Sequence, residues 1–415
     1  MSESSELCTV GDHPFEVLFH APLHVSCWID DKTVVVGGGG GETKFGMKNF
    51  LQLIVVDENK SKWKAVAQLN FGETAAWCIS ELQGTGGKYV LLVSHVDSMS
   101  VVDVSVNHST QSFVLHQREQ LKLVTDSQNP DKKPVAATSK GFAFVAQDDE
   151  TVSILKVNPV LKPVSILKQE ADNTLWKGRI RSLVSTSIGD RTLIASVSED
   201  KCFRVILVDA QAMPTAVKCL GETDLNLGFR LMKSSLRSAI FLPNEKQCIV
   251  ILNAFDSDST TTHLITFNVK VSAEDKRGGL AVDTLGRFQL PREVITAMSQ
   301  VPQTSGSLHP RLLCATVEGS LVELECTTDG TVSLLRSKKA AHTEPISSVS
   351  ISTLGLAVST DIGQRAHLWR IGGTNTAIPQ LFSKRPLSWR VTFLLVSLLF
   401  AVIAVLLRMQ LGLEW

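Results

Sequence analysis

Residues 37–49, GGGGGETKFGMKN, set five consecutive glycines (Gly37, Gly38, Gly39, Gly40 and Gly41) directly behind the β-branched run Val34, Val35 and Val36. Glycine loses more backbone entropy on folding than any other residue, so the run is destabilising unless something needs so bare a backbone. Two chemistries suit it. Converging carbonyls would hold a hard cation, and converging amides would hold a phosphate. No helical pattern follows the run, which disfavours the phosphate version. The connection between strands expected over 33–36 and 50–56 is about thirteen residues long, roughly twice the median for compact folds. It carries the apolar Phe45 and Met47 and ends at Asn49, where the next strand starts. An unstructured glycine linker is the competing reading.

Other chemistry is scarce. The chain has no H-E-x-x-H, no G-x-S-x-G and no G-x-x-x-x-G-K-[ST]. GTGGKY at 84–89 lacks the Ser or Thr after Lys88 and precedes no helix, so it reads as a hairpin turn. The ten histidines are dispersed, and none of the eight cysteines stands in a C-x-x-C pair or at zinc-ligand spacing with histidine. The cysteines read as buried small hydrophobes in a reducing compartment. Forty-one basic residues balance 41 acidic ones, which excludes a surface that is wholly a nucleic-acid cradle, and no nucleic-acid partner is expected.

The elements that must position the glycine run are strands. Short β-branched stretches separated by Gly, Asp, Asn and Ser recur without any long 3.6-residue periodicity, an all-β pattern. Seven units fall at 24–57, 75–104, 134–157, 180–209, 235–269, 294–326 and 345–371, a period of about 50 residues. A small sheet buries both faces only when several are arranged radially. The expected fold is therefore a seven-bladed β-propeller, WD40-like, over residues 12–375, in preference to two stacked sandwiches. Residues 1–11 form an N-terminal extension. The strand-like 14–22 has no partner in its own unit and is expected to close the ring on the last blade. That last blade, with His342 ahead of it and AHLWRI closing it, is the most WD-like of the seven.

Residues 391–407, VTFLLVSLLFAVIAVLL, contain no charge, and as a helix they would span about 25 Å. Trp389 and Trp415 bracket the segment. Lys384, Arg385 and Arg390 precede it, whereas only Arg408 follows. The positive-inside rule then puts the preceding domain in the cytosol. The expected layout is a juxtamembrane linker at 376–390, a single C-terminal transmembrane helix at 391–407 and a lumenal tail at 408–415. The start, MSESSELCTV, shows no secretory signal pattern, consistent with that orientation.

With the glycine run, the G-x-x-N ending and the C-terminal apolar segment together, the sequence resembles the endoplasmic-reticulum exchange factors that start COPII vesicle budding. Their signature is a strand, a glycine run, a short polar insertion, then Gly-(Ile/Met)-x-Asn. Here it matches at Gly37 to Gly40, Gly46 and Asn49, with Met47 in place of the more usual Ile. The resemblance extends over the architecture of the whole chain, but specific identity lies in this loop alone. It implies a guanine-nucleotide exchange factor at the endoplasmic reticulum membrane that releases GDP from a Sar-type small GTPase and serves the COPII coat indirectly. No covalent chemistry is involved. It further implies that Asn49, Met47 and Gly46 act on the GTPase and that Gly37 to Gly41 form a cradle. In that picture a potassium ion is held by the carbonyls of Gly38, Gly39 and Gly40. The fifth glycine and Glu42 depart from the pattern and leave the ion ligands open. The rival reading is a membrane-anchored WD-repeat scaffold without exchange activity. Duplex-DNA binding and a hydrolase propeller fit less well, the first for its balanced charge and the second for want of a nucleophile.

Overall fold

The computed structural model describes residues 8–10 and 16–371, apart from 41–45, 58–61, 96–97, 123–134, 147–150, 158–161, 168–177, 212, 222–224, 226–232, 244–245, 256–258, 273–278 and 304–308. These residues form six four-stranded sheets, each an antiparallel meander of sequence neighbours, and one five-stranded antiparallel sheet that joins strands from both ends of the described chain. The sheets correspond to the seven units of the sequence. Among the described residues there is no helix, and none therefore long and apolar enough to cross a membrane. The expected linker, span and tail at 376–415 lie outside the described residues.

Each sheet is a blade. Its second and third strands are buried on both faces, which is why they read as continuous apolar runs instead of alternating ones. Phe203–Val208 in the fourth blade and Leu356–Asp361 in the seventh are buried along their whole length. The outermost strands differ. Ser112–Lys122 in the second blade alternates between exposed and half-buried positions, and its sequence SFVLHQREQLK is correspondingly polar. The sequence units hold three strands each, and the fourth, outer strand is the one they omit.

Adjacent residues of a central strand point to opposite blades. Ile194 and Ile206 pack on Phe144 and Ile154 of the third blade, while their neighbours Leu193 and Val205 pack on Leu236 and Val250 of the fifth. The described residues form seven such cores, one in each gap between blades. Fully burying one of these side chains contributes about 1.5–3 kcal/mol, so the blades are stable as a ring and not singly.

The ring closes as the sequence leads one to expect. Glu16–Phe19 adds antiparallel to Arg365–Arg370, pairing Leu18 with Arg365 and Glu16 with His367. Val17 and Phe19 then join Val34, Phe50, Leu356 and Leu368 in one core, and the rings of Phe19 and Phe50 stack at 5.9 Å. One boundary needs correction: Cys8–Val10, placed in the extension by sequence, pairs with Glu16–Phe19 as a fifth strand. An unpaired outer edge on that blade supplies the backbone partners that recruit it.

The seventh blade carries a buried polar chain. Trp369 Nε1 donates to Ser359 Oγ at 2.8 Å, Ser359 Oγ lies 2.7 Å from His342 Nε2, and His342 Nδ1 lies 2.6 Å from Asp361 Oδ2. With Trp369 donating to it, Ser359 has its own proton for His342, whose Nδ1–H then serves the carboxylate. Around the axis, side chains of inner strands tie each blade to the next. Ser26 meets Ser348, Ser80 and Ser185 donate to Ala136 and Thr138 carbonyls, and Thr296 donates to the Ile346 carbonyl.

Candidate functional site: the glycine connection and its stem

Strand Thr33–Gly38 of the first blade runs two residues further than the sequence suggests, and Asn49–Asp57 begins one residue earlier. Gly37 and Gly38 are therefore ladder residues, paired with Leu51 and Phe50, and the connection proper is 39–48. Gly41 lies outside the described residues.

The bareness of the run has a packing cause. A Cβ on Gly38 would sit 2.0 Å from the Pro22 carbonyl oxygen, and one on Gly39 would sit 2.0 Å from the Asn49 side-chain oxygen. No larger residue fits either place without moving backbone or a buried amide. Gly40 faces Met47 in the same way across the neck of the connection. Met47 also packs on the core between the seventh and first blades, so the returning arm is anchored to the body.

Gly39 donates its N–H to the Pro22 carbonyl at 3.0 Å. Proline has no N–H to return to the Gly39 carbonyl, and His24 Nε2, 3.1 Å from that oxygen, takes the place in the tautomer protonated there. His24 in turn stacks on Trp77 of the second blade, ring centroids 4.0 Å apart. The root of the connection is thus coupled through one imidazole to the next blade.

Asn49 is buried. It is 1% exposed, and its Nδ2 donates to the Gly72 carbonyl at 2.7 Å, where Gly72 ends the outer strand of the same blade. The resemblance implies a contact role for Asn49, and in this arrangement its amide is committed to Gly72. Gly46 and Lys48 are exposed and Met47 is half-buried, so these three hold the outward surface of the described part of the connection.

The carbonyls expected to hold potassium can be tested against this arrangement. Gly38 lies inside the ladder, and the Gly39 oxygen meets His24. Of the three residues named for the ion, only Gly40 is left uncommitted by these contacts. The rest of the connection, 41–45, lies outside the described residues, and no step below is routed through a potassium ion. Among the described residues, no group of three or more His, Cys, Asp or Glu side chains could hold a metal.

Cys27 and Cys78, on the inner strands of the first and second blades, are held as thiols. Burial pushes Cys27 up to about 12, with the Glu81 carboxylate adding to the effect, and burial raises Cys78 as well. Neither is a nucleophile at neutral pH. The expectation of buried cysteines holds at Cys248, Cys314 and Cys326, holds in part at Cys27, Cys78 and Cys202, and fails at Cys219, which is exposed on an outer strand; these seven are unbridged. The GTGGKY segment is the hairpin expected: Thr85 pairs with Lys88 around Gly86 and Gly87, whose φ values of 61° and 79° are those of a two-residue hairpin turn.

The sequence did not point to His24, Trp77, Pro22 and Gly72: Pro22, His24 and Gly72 reach the connection from elsewhere in the first blade, and Trp77 reaches it through His24. The only signal was negative, a glycine run longer than a turn requires.

These features define a WD40-type seven-bladed β-propeller with an extended connection in its first blade. No family model matches the chain, and no curated protein matches it significantly in sequence. Solved structures do. Raptor from Chaetomium thermophilum is similar over 88% of this chain and 29% of its own, with TM-score 0.58 and 12% identity. Sqt1 from Chaetomium thermophilum is similar over 86% and 84%, with TM-score 0.53 and 14% identity. The WD40 β-propeller domain of Doa1 is similar over 84% and 93%, with TM-score 0.52 and 12% identity. Identities this low establish the fold alone.

Proposed function

We propose that the chain is a membrane-anchored guanine-nucleotide exchange factor for a Sar-type small GTPase, with the 39–48 connection as the element that engages it. The observation that carries the reading is the pinned neck of the connection. Gly39 against Asn49, Gly40 against Met47 and His24 against the Gly39 carbonyl fix where a long loop leaves the rim. A contact element held at both ends loses less conformational freedom on binding, which strengthens whatever it recognises. The Gly-Met-x-Asn ending and the apolar 391–407 segment support the same reading from the sequence.

The mechanism needs no bond chemistry. A protein that binds the nucleotide-free GTPase more tightly than the GDP form must weaken GDP by the same factor, since the two ligands share one linkage cycle. Gly46, Met47 and Lys48 supply the contact surface, and Asn49 keeps it in register through Gly72. Anchoring by 391–407 in the endoplasmic reticulum membrane would raise the local concentration of the partner and place its activated form, and so the COPII coat, at that surface.

A scaffold without exchange activity is the second reading, favoured by the fact that close packing alone accounts for Gly38 and Gly39. The deciding experiment is release of a fluorescent GDP analogue from a Sar-type GTPase on liposomes carrying the full chain. Exchange predicts acceleration that Asn49→Ala largely abolishes. Binding with no acceleration identifies a scaffold.

A further inference from the structure

The axial channel opens into a cavity of about 720 Å³ lined by the first residues of the inner strands. Five blades show the same irregularity there. The inner strand skips one residue against its neighbour at His24, Arg181, Arg237, Thr296 and Ser347. Such bulges re-aim a side chain out of the ladder. All five residues line the cavity, so the skipped positions form one ring around the axis.

In the fourth and fifth blades the ring is cationic. Arg179, Arg181 and Arg237 face the cavity, and no carboxylate is among the described residues that line it. Arg181 is paired outside it with Glu199 at 2.8 Å. Arg237 Nε donates to the Thr296 carbonyl at 3.3 Å, which leaves its terminal nitrogens for other acceptors. Burial, then the charges of Arg181 and Arg179, hold the Arg237 guanidinium below the usual arginine range. Arginines gathered in a half-enclosed space raise the positive potential there and favour an entering anion.

We propose that this channel mouth binds a compact anion bearing clustered phosphates, gripped by the guanidinium forks of Arg179, Arg181 and Arg237. Planar forks match phosphate oxygens two at a time, and three guanidiniums lining one cavity favour more than one phosphate over a single carboxylate. The cavity volume suits a small phosphorylated molecule. The same groups occur on soluble inositol polyphosphates and on phosphoinositide headgroups. The gripping arginines are not used by the exchange reading, and the failure of either leaves the other standing.

The test uses the full chain in detergent micelles, titrated calorimetrically with inositol hexakisphosphate and with inorganic pyrophosphate at about 0.15 M salt. A parallel arm measures flotation with phosphatidylcholine vesicles containing phosphatidylinositol bisphosphate. The expected result is one-to-one binding, weakened at least about tenfold by Arg237→Gln, less by Arg237→Lys, and unchanged by Lys218→Gln on the outer strand of the fourth blade. Binding in solution assigns the site to a soluble phosphate compound, and binding on vesicles alone assigns it to a headgroup. Should Arg237→Gln not fold, Arg181→Gln and the ligand-induced rise in wild-type melting temperature give the same reading. Absence of binding in both arms, or equal loss with Lys218→Gln, overturns the proposal.

Discussion

Gly39 and Asn49 face each other across the neck of the first-blade connection, so closely that a methyl group on Gly39 would occupy the position of the Asn49 side-chain oxygen. One residue must be the smallest available, and the other must hold its amide on Gly72. The pair fixes the direction in which the connection leaves the propeller, and it separates the residues that shape this element from those that could touch a partner.

That separation predicts two kinds of loss. Asn49→Ala removes the donor to a buried carbonyl and should lower stability by about 1–3 kcal/mol while exchange falls sharply. Lys48→Ala, on the exposed arm, should reduce exchange with melting unchanged. Thermal unfolding and GDP release, measured on both variants, check the pattern. A stable Asn49→Ala protein with lost exchange would mean that Asn49 touches the partner itself.

Alkali cations provide a second discriminator. The Gly38 and Gly39 carbonyls are taken by the ladder and by His24, so exchange in potassium and in lithium buffer should agree within about twofold. A collapse in lithium would show that residues 41–45 complete an ion site.

The polar chain in the seventh blade should behave as a unit. Asp361→Ala leaves His342 without its carboxylate in a fully buried setting and is expected to cost about 2–4 kcal/mol. Trp369→Phe removes the donor to Ser359 and should cost less. Because both act through Ser359 and His342, the double variant should lose less than the sum, a coupling that denaturant unfolding reads directly.

His263 gives stability a pH dependence of known sign. Burial first, and the Arg287 charge second, depress it to about 4 from an ordinary value of 6.5. Arg287 donates to its Nδ1, which must therefore be unprotonated. Between about pH 6.5 and pH 4 the unfolded chain binds the extra proton, so this contribution to stability falls as pH is lowered through that window and levels off below it. His263→Gln should flatten that part of the stability profile by up to one proton in slope. An unchanged profile would show that His263 is not the source.

What could be read beforehand depended on range. The seven units and the closing strand at 14–22 were legible because central strands buried on both faces leave apolar runs. Outer strands such as SFVLHQREQLK were not, since a sheet edge in contact with water carries polar side chains at every second place. The glycine run was legible as an anomaly and misjudged in extent. Glycine reads as a turn former, yet Gly37 and Gly38 continue a ladder in which the Leu51 and Val25 side chains crowd the first and the Pro22 carbonyl crowds the second. The burial of Asn49 depends on Gly72, on a strand the units omitted. The ring of His24, Arg181, Arg237, Thr296 and Ser347 joins residues a whole blade apart in sequence, and no local pattern announces it.

The strand that seals the circle is translated before the seven blades and put to use only after the last of them. Leu18 waits for Arg365, and at about 5–20 residues per second the roughly 350 residues between them take about 20 to 70 s to emerge from the ribosome. During that interval the first blade offers Val34 and Phe50 to a neighbour that has not been made. Nascent chains of this protein should therefore depend on holding chaperones until the last blade appears, and truncation within that blade should be far more damaging than its small share of the chain suggests.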